Sequence, residues 1–281
     1  MCQSDRDNYV SLRNQRLLYE ALGKDNISVL SITDRNNLDN IKVSSSDIVI
    51  TQSRDGIVRE AIQRTGAKNT SECDRTISLT KNKQILKEEL QRHGIMYPKS
   101  YALSEVKNGK FYFVKPLRGE DSNCIDIKSL CRTKEEIEDK AAEIKNSGDA
   151  VLIEDFIDGE ECTAACIVNQ ETGEIEVYPI FVGLTTPYKI LTHEAKFSEN
   201  EICSPCNNGM VKQIAEKICR IVGLRHYMRI DFRIRKGVPY VIDCNLFPGL
   251  GTLDHFAKCL LLCKNISYID ALKKIIATAS L

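Results

Sequence analysis

The sequence predicts a small parallel α/β unit followed by a larger α+β region built on antiparallel sheets. Three observations carry that expectation. Up to residue 66, short apolar runs alternate with helical patterns, as strands joined by crossover helices do. From residue 100 onward the apolar runs follow one another through short turns, which reads as hairpins with helices on one side. Near the C-terminus, two alternating runs flank Lys236-Gly237 as a β-hairpin.

Taken in order, residues 9–23 place apolar side chains at helical spacing and stop at Gly23. Residues 27–32 and 47–51 read as short strands, and residues 55–65 as a helix ended by Gly66. A helix over 80–93 stops at Gly94, and Tyr97-Pro98 leads into a strand at 100–103. A strand over 110–116 is expected to pair with 125–129. Thr133 with Glu136 three residues later forms a capping box for a helix over 133–145. Strands follow at 151–157, 161–169 and 174–183. A helix over 210–222, stopped by Gly223, precedes the hairpin, and helices over 253–263 and 268–277 close the chain. The best boundary falls near residue 76. It divides the chain into 1–76 and 77–281, the second part splitting into about 77–150 and 151–281.

Composition narrows the function. The 281 residues include 39 Lys+Arg and 39 Asp+Glu, so no global field draws the chain to nucleic acid or to anionic membranes. No apolar run approaches the roughly 18 residues of a membrane span. Residues 1–8 lack the apolar core of a signal peptide, and the expected location is cytoplasmic. The 12 cysteines are scattered and suit small, reduced hydrophobes. Cys203-x-x-Cys206 has a metal-like spacing, but no second pair completes a tetrahedral site. With only 4 histidines, a His-based catalytic device is not expected.

The chemistry concentrates in the hairpin. A three-residue loop, Lys236–Val238, would set Asp231 opposite Asp243 and Arg229 opposite Asn245, all on one face. Ile230, Phe232, Ile234, Tyr240 and Ile242 would then pack on the other. Opposed carboxylates destabilise a sheet unless a cation sits between them. Mg²⁺ suits oxygen ligands that also meet phosphate. A bare Asp-x-Asn is ordinarily a solvated face; Asp231 in register and the following Asn-x-x-Pro-Gly favour the metal.

Lys115 ends an apolar strand before a loop over Gly119–Asn123, a place where backbone N–H groups and one cation could hold polyphosphate. Lys83 could add a second cation. Residues 151–157 turn through Asp158-Gly159, and a strand edge there can hydrogen-bond a planar heterocycle, with Glu154 accepting from an exocyclic amine and Glu161 from ribose hydroxyls. Each of these alone is as readily a solvated surface residue.

The order Lys83, strand-Lys115-Pro116-loop, Glu154-x-x-x-x-Gly159-x-Glu161, Arg229-x-Asp231, Asp243-x-Asn245-x-x-Pro248-Gly249 resembles the ATP-grasp superfamily, and within it the D-alanine–D-alanine ligase branch. Tyr9-Val-Ser-Leu and His193-Glu-Ala-Lys196-Phe197 extend the likeness over nearly the whole chain. The final segment is highly specific and the first is weak. The resemblance implies a two-subdomain ATP-grasp fold behind the N-terminal α/β domain. It implies an ADP-forming carboxylate–amine ligase working through an acyl phosphate.

By the same resemblance, ATP phosphates fall to Lys83, Lys115 and Lys196, under a covering loop that includes Glu120, Asp121 and Ser122. Adenine falls to Glu154 and the backbone of Asp155, Phe156 and Ile157, and ribose to Glu161. Two Mg²⁺ (or Mn²⁺) fall to Asp231, Asp243 and Asn245, and the reacting oxyanions to Arg229, with Lys115 and Lys196 assisting.

Substrate positions depart from the branch. Tyr9 replaces an ammonium-binding glutamate, and Phe197 replaces a tyrosine. The run after Gly249 that grips the second carboxylate is altered, with Asp254 and His255 as replacement polar contacts. The family's opening strand and glycine loop do not precede Tyr9, and Asp243 stands for a glutamate. The expected substrates are therefore an amino acid or small peptide acid other than paired D-alanine. The alternatives are D-alanine–D-alanine ligase itself and a nucleotide-binding homologue without catalysis. Expected partners are small molecules, with neither nucleic acid nor membrane, and a homodimer is one assembly the sequence permits.

Overall fold

The computed structural model describes residues 23, 43–52, 55–118, 124–183 and 201–279. The helix expected at 9–23 and the strand expected at 27–32 lie outside them, Gly23 excepted. Strand β1 (Ile48–Val49) runs parallel to β2 (Lys68–Asn69), with helix α1 (Gly56–Arg64) between them. The Asp55 side chain starts α1 by accepting from the Ile57 N–H at 2.9 Å. This is the expected parallel unit, although β2 carries too few apolar residues to be read in sequence.

Helices α2 (Asp74–Lys81) and α3 (Lys83–Arg92) replace the single helix expected over 80–93. Asn82 separates them with an extended backbone, and its side chain accepts from the N–H groups of Gln84 and Ile85 at 3.1 and 3.2 Å. Asparagine offers the backbone this local alternative, which outweighs helix continuation. Residue 76, the expected boundary, lies inside α2. Thr76 donates to the Val222 carbonyl at 2.7 Å, and Ile77 packs in the main core.

Four antiparallel strands form the next sheet: β3 (Ser100–Tyr101), β4 (Tyr112–Pro116), β5 (Leu130–Cys131) and β6 (Val151–Asp155), in the order β3-β6-β4-β5. Helix α4 (Lys134–Asn146) covers it. The capping box is present: Glu136 N–H donates to Thr133 Oγ1 at 3.2 Å, and Thr133 N–H to Glu136 Oε2 at 3.1 Å. The expected partner of β4, residues 125–129, is corrected to Leu130–Cys131. Ser129 Oγ accepts from the Asp126 N–H at 3.2 Å and winds 127–129 into a 3₁₀ turn instead.

The largest sheet has the order β11-β10-β7-β8-β9, from β7 (Glu160–Val168), β8 (Ile175–Gly183), β9 (Ile202–Pro205), β10 (Tyr227–Arg235) and β11 (Val238–Asn245). Helix α5 (Gly209–Val222) packs on one face, and α6 (His255–Lys264) and α7 (Tyr268–Thr278) on the other. Central β7 is buried on both sides. Cys162, Ala164 and Cys166 enter the α5 core, while Ala165 and Ile167 enter the α6–α7 core. Thiols and methyls are small enough for both layers to close on one strand, which is where several of the cysteines are spent.

The site hairpin is built differently from expectation. Its loop has two residues, not three: Lys236 and Gly237, both left-handed with φ of 52° and 79°, as a type I′ turn requires. Pairing runs Arg235↔Val238 to Phe232↔Val241, then shifts. Ile242 is an extra, bulged residue, after which Asp231 opposes Asp243 and Arg229 opposes Asn245. The expected pairs thus hold through a turn one residue shorter and a bulge. The bulge also corrects the core face, where Pro239 and Val241 take the places expected for Tyr240 and Ile242.

Candidate active site

On β10 the even residues Met228, Ile230, Phe232 and Ile234 enter the core. The odd residues Arg229, Asp231 and Arg233 share the opposite face. Two positions apart, Arg229 and Asp231 make a forked pair: Nε to Oδ1 at 2.9 Å and Nη2 to Oδ2 at 2.8 Å. Thr163, opposite Asp231 on β7, donates to Oδ1 at 2.6 Å. Burial would lower the Arg229 pKa, but Asp231 and then Asp243 raise it further than burial lowers it. Asn245 turns its Oδ1 back to the Phe247 N–H at 3.0 Å, fixing the exit of β11.

Helix α3 brings cations to this face. Lys83 Nζ stands 3.7 Å from Asp243 Oδ1. One turn later Lys87, only 5% exposed, ion-pairs with Glu154 and donates to the Pro98 carbonyl at 3.2 Å and to Ser100 Oγ at 3.3 Å. Glu154, 1% exposed, gives its other oxygen to Lys115 at 2.6 Å. Burial would raise the Glu154 carboxyl, yet Lys115 and Lys87 hold it below the usual range. Lys87 is itself pushed down, first by burial, with Glu154 opposing. Lys115 Nζ also donates to the Ile242 carbonyl at 3.1 Å, so β4 of one sheet reaches the bulge of the other.

Arg233 faces Glu161 across β10 and β7 at 3.4 Å and lies over the Phe156 ring at 4.9 Å. It also donates to the Gly159 carbonyl at 3.0 Å. A Cβ on Gly159 would run into the Ile234 carbonyl, so the turn between β6 and β7 needs glycine for this approach. Asp155 pairs with Lys110, Phe156 stacks near Phe113, and Ile157 is buried.

Beyond β11 the Asp254 carboxylate folds back over Gly249, where a Cβ would meet it at 2.6 Å, and accepts from the Gly251 N–H at 2.6 Å. His255 does not join it. Its Nε2 lies 2.8 and 2.9 Å from the two oxygens of Glu201, and Lys258 adds a bond at 2.7 Å. Burial would raise Glu201, but His255 and Lys258 bring it down to about 2. Among the described residues, Glu201, Cys203 and His255 have metal-ligand spacing, with ligand atoms within 4.8 Å of one another. Lys258 already supplies the cation there.

Lys83, Lys115, Glu154, Arg229, Asp231, Asp243 and Asn245 are therefore gathered on or beside the hairpin face. Glu161 sits nearby with Arg233, and Gly249 with Asp254. Tyr9, Glu120, Asp121, Ser122, Lys196 and Phe197 lie outside the described residues. Sequence reading passed over Lys87, Arg233, Thr163 and Glu201. Period-2 alternation from Arg229 was signal enough for Arg233; four-residue spacing puts Lys87 on the face of Lys83 but does not name its partner. No helix among the described residues is long and apolar enough to cross a membrane.

Two antiparallel sheets are joined through a strand lysine, with carboxylates and an arginine on one hairpin, and a ligase family spans the chain from residue 82 to 277: this is an ATP-grasp protein of the ATP-dependent carboxylate–amine ligase class. Residues 82–277 match the family described as D-ala D-ala ligase C-terminus, and the chain belongs to that family. A D-alanine–D-alanine ligase of Maridesulfovibrio salexigens is 26% identical over 70% of this chain and 67% of its own length. The D-alanine–D-alanine ligase of Bacillus anthracis, solved with ATP, superposes with a TM-score of 0.74 at 18% identity, covering 96% of this chain and 92% of its own. The VanG D-Ala:D-Ser ligase of Enterococcus faecalis superposes with a TM-score of 0.70 at 15% identity, covering 96% and 95%.

Proposed function

We propose that this chain is an ADP-forming ligase that joins an amino acid or small peptide acid to an amine, on substrates other than paired D-alanine. A carboxylate oxygen forms a bond to the γ-phosphorus of ATP as the bond to ADP breaks. The amine nitrogen then bonds to the acyl carbon, phosphate departs with the C–O bond electrons, and the amine proton is lost. Such transfer asks for positioning and for cations on developing charge. Lys83, Lys115 and, from the resemblance, Lys196 are assigned to phosphate. Arg229, permanently charged and forked, is assigned to the reacting oxyanions. The hard oxygens of Asp231, Asp243 and Asn245 fit Mg²⁺, which when bound supplies further charge neutralisation. Residues 1–76 and 77–281 are assigned as the N-terminal and ATP-grasp parts.

The substrate reading is carried by Asp254. Its carboxylate closes over Gly249, in the segment the family resemblance assigns to gripping a second substrate's carboxylate. A negative group there opposes such a grip, and like-charge juxtaposition costs several kcal/mol. The D-alanine–D-alanine ligases among the relatives favour a second reading, D-alanine joined to D-alanine, while the D-Ala:D-Ser ligase of Enterococcus faecalis has a different pair on the same fold.

Release of ADP and phosphate from Mg²⁺-ATP, with pooled amino acids and separately with D-alanine, separates these. Release that requires an amino acid or dipeptide other than D-alanine is the expected result. Release with D-alanine alone establishes the second reading. No amine-dependent release with any of them overturns catalysis and leaves a nucleotide-binding homologue.

A further inference from the structure

Lys83 and Lys87 lie one turn apart on α3 and face the same way. Lys83 reaches Asp243 on the hairpin. Lys87 is more deeply buried and reaches Glu154 instead, with the Pro98 carbonyl and Ser100 Oγ as its other partners. A buried ammonium is costly unless paired. Its partner is already engaged, because the second Glu154 oxygen holds Lys115. One carboxylate therefore serves two ammonium groups, and the three-residue cluster carries one surplus positive charge. Lys115 is the member that continues onto the Ile242 carbonyl beside Asp243.

We propose that Lys87 is a positioning residue for nucleotide: by sharing Glu154, it leaves the charge of Lys115 uncancelled for a phosphate. This rests on reading Lys115 as a phosphate ligand. Without Lys87, Glu154 belongs to Lys115 alone, the pair is neutral, and the carboxylate draws the ammonium away from any anion. With Glu154 also neutralised, Lys87 has nothing left to offset. The role is therefore visible as a coupling between positions 87 and 154, which simple loss of packing would not produce.

The test is the dissociation constant of a non-hydrolysable Mg²⁺-ATP analogue, by calorimetry on the full chain. Lys87→Met is expected to weaken binding about tenfold, roughly 1.4 kcal/mol, and Lys87→Arg to stay within about threefold. Adding Lys87→Met to Glu154→Gln is expected to change binding by less than about twofold. That last comparison does not depend on Lys87→Met alone folding; in the double variant Lys115 keeps the Ile242 carbonyl and meets a glutamine oxygen in place of the carboxylate. An equal loss from Lys87→Met in both backgrounds, or none in either, overturns the proposal. Failure of the unmodified chain to bind the analogue instead strikes the ligase reading on which the proposal rests.

Discussion

Glu72 offers the sharpest prediction, because its chemistry is set by burial and by two backbone groups. It lies between β2 and α2, only 3% exposed. Its carboxylate accepts from the Arg225 N–H at 3.0 and 3.2 Å and from the His226 N–H at 2.9 Å. Burial pushes its pKa up from 4.5 to about 7, against those hydrogen bonds and the Arg225 charge. A raised folded value means that the neutral form favours folding. The advantage is fully present below pH 4.5, declines as pH rises through the window, and is gone above about 7. Its size follows from that window, about 3 kcal/mol.

Glu72→Gln keeps a carbonyl acceptor for the two N–H groups and removes the proton. Relative to the parent, the variant should therefore gain about 3 kcal/mol between roughly pH 5 and pH 8. Urea unfolding at a series of pH values, with unchanged slopes, reads this difference directly. His226 is held below its ordinary value by burial, but it titrates in both proteins and largely cancels. A difference that stays constant with pH, or narrows, would refute the reasoning.

Arg229→Ala leaves Asp231 and Asp243 opposed without their forked cation. Turnover should fall by about 10²–10³ while nucleotide affinity stays nearly intact, and a large loss of affinity would contradict the assigned role. Asp243→Asn should raise the Mg²⁺ concentration needed for activity by about tenfold, and an unchanged metal titration removes it from the ligands. Gly159→Ala drives a methyl into the Ile234 carbonyl and should cost about 1–3 kcal/mol, seen as a lower urea midpoint. An unchanged midpoint there would mean that the turn yields freely.

The hairpin was the most legible part of the chain, since alternation at period two names a face without knowledge of the rest. Its turn was less so. A three-residue loop and a two-residue turn followed by a bulge both set Asp231 opposite Asp243, and only the backbone distinguishes them. Tyr240 and Ile242 were misplaced for that reason. Helix α2 was hidden because its buried side chains are Thr76, Ile77 and Thr80, two of them polar, and because Asn82 caps a new helix where the pattern seemed continuous. The ion pairs were the least legible. Lys87 reads as one more solvated helix lysine until the fold brings Glu154 to it, across 67 residues of sequence. His255 was expected beside substrate, and the fold turns it to Glu201, 54 residues away. Such partners are set by tertiary placement, which no local pattern encodes.

The extra residue at Ile242 divides the hairpin into two stretches of regular pairing. Because the strand slips by one there, the pairs beside the exposed tip at Lys236-Gly237 and the pairs at the acidic end, Asp231 and Asp243, differ in register by one residue. The carbonyl that the slip presents is also the one that Lys115 grasps. The irregularity therefore serves as a splice between two sheets.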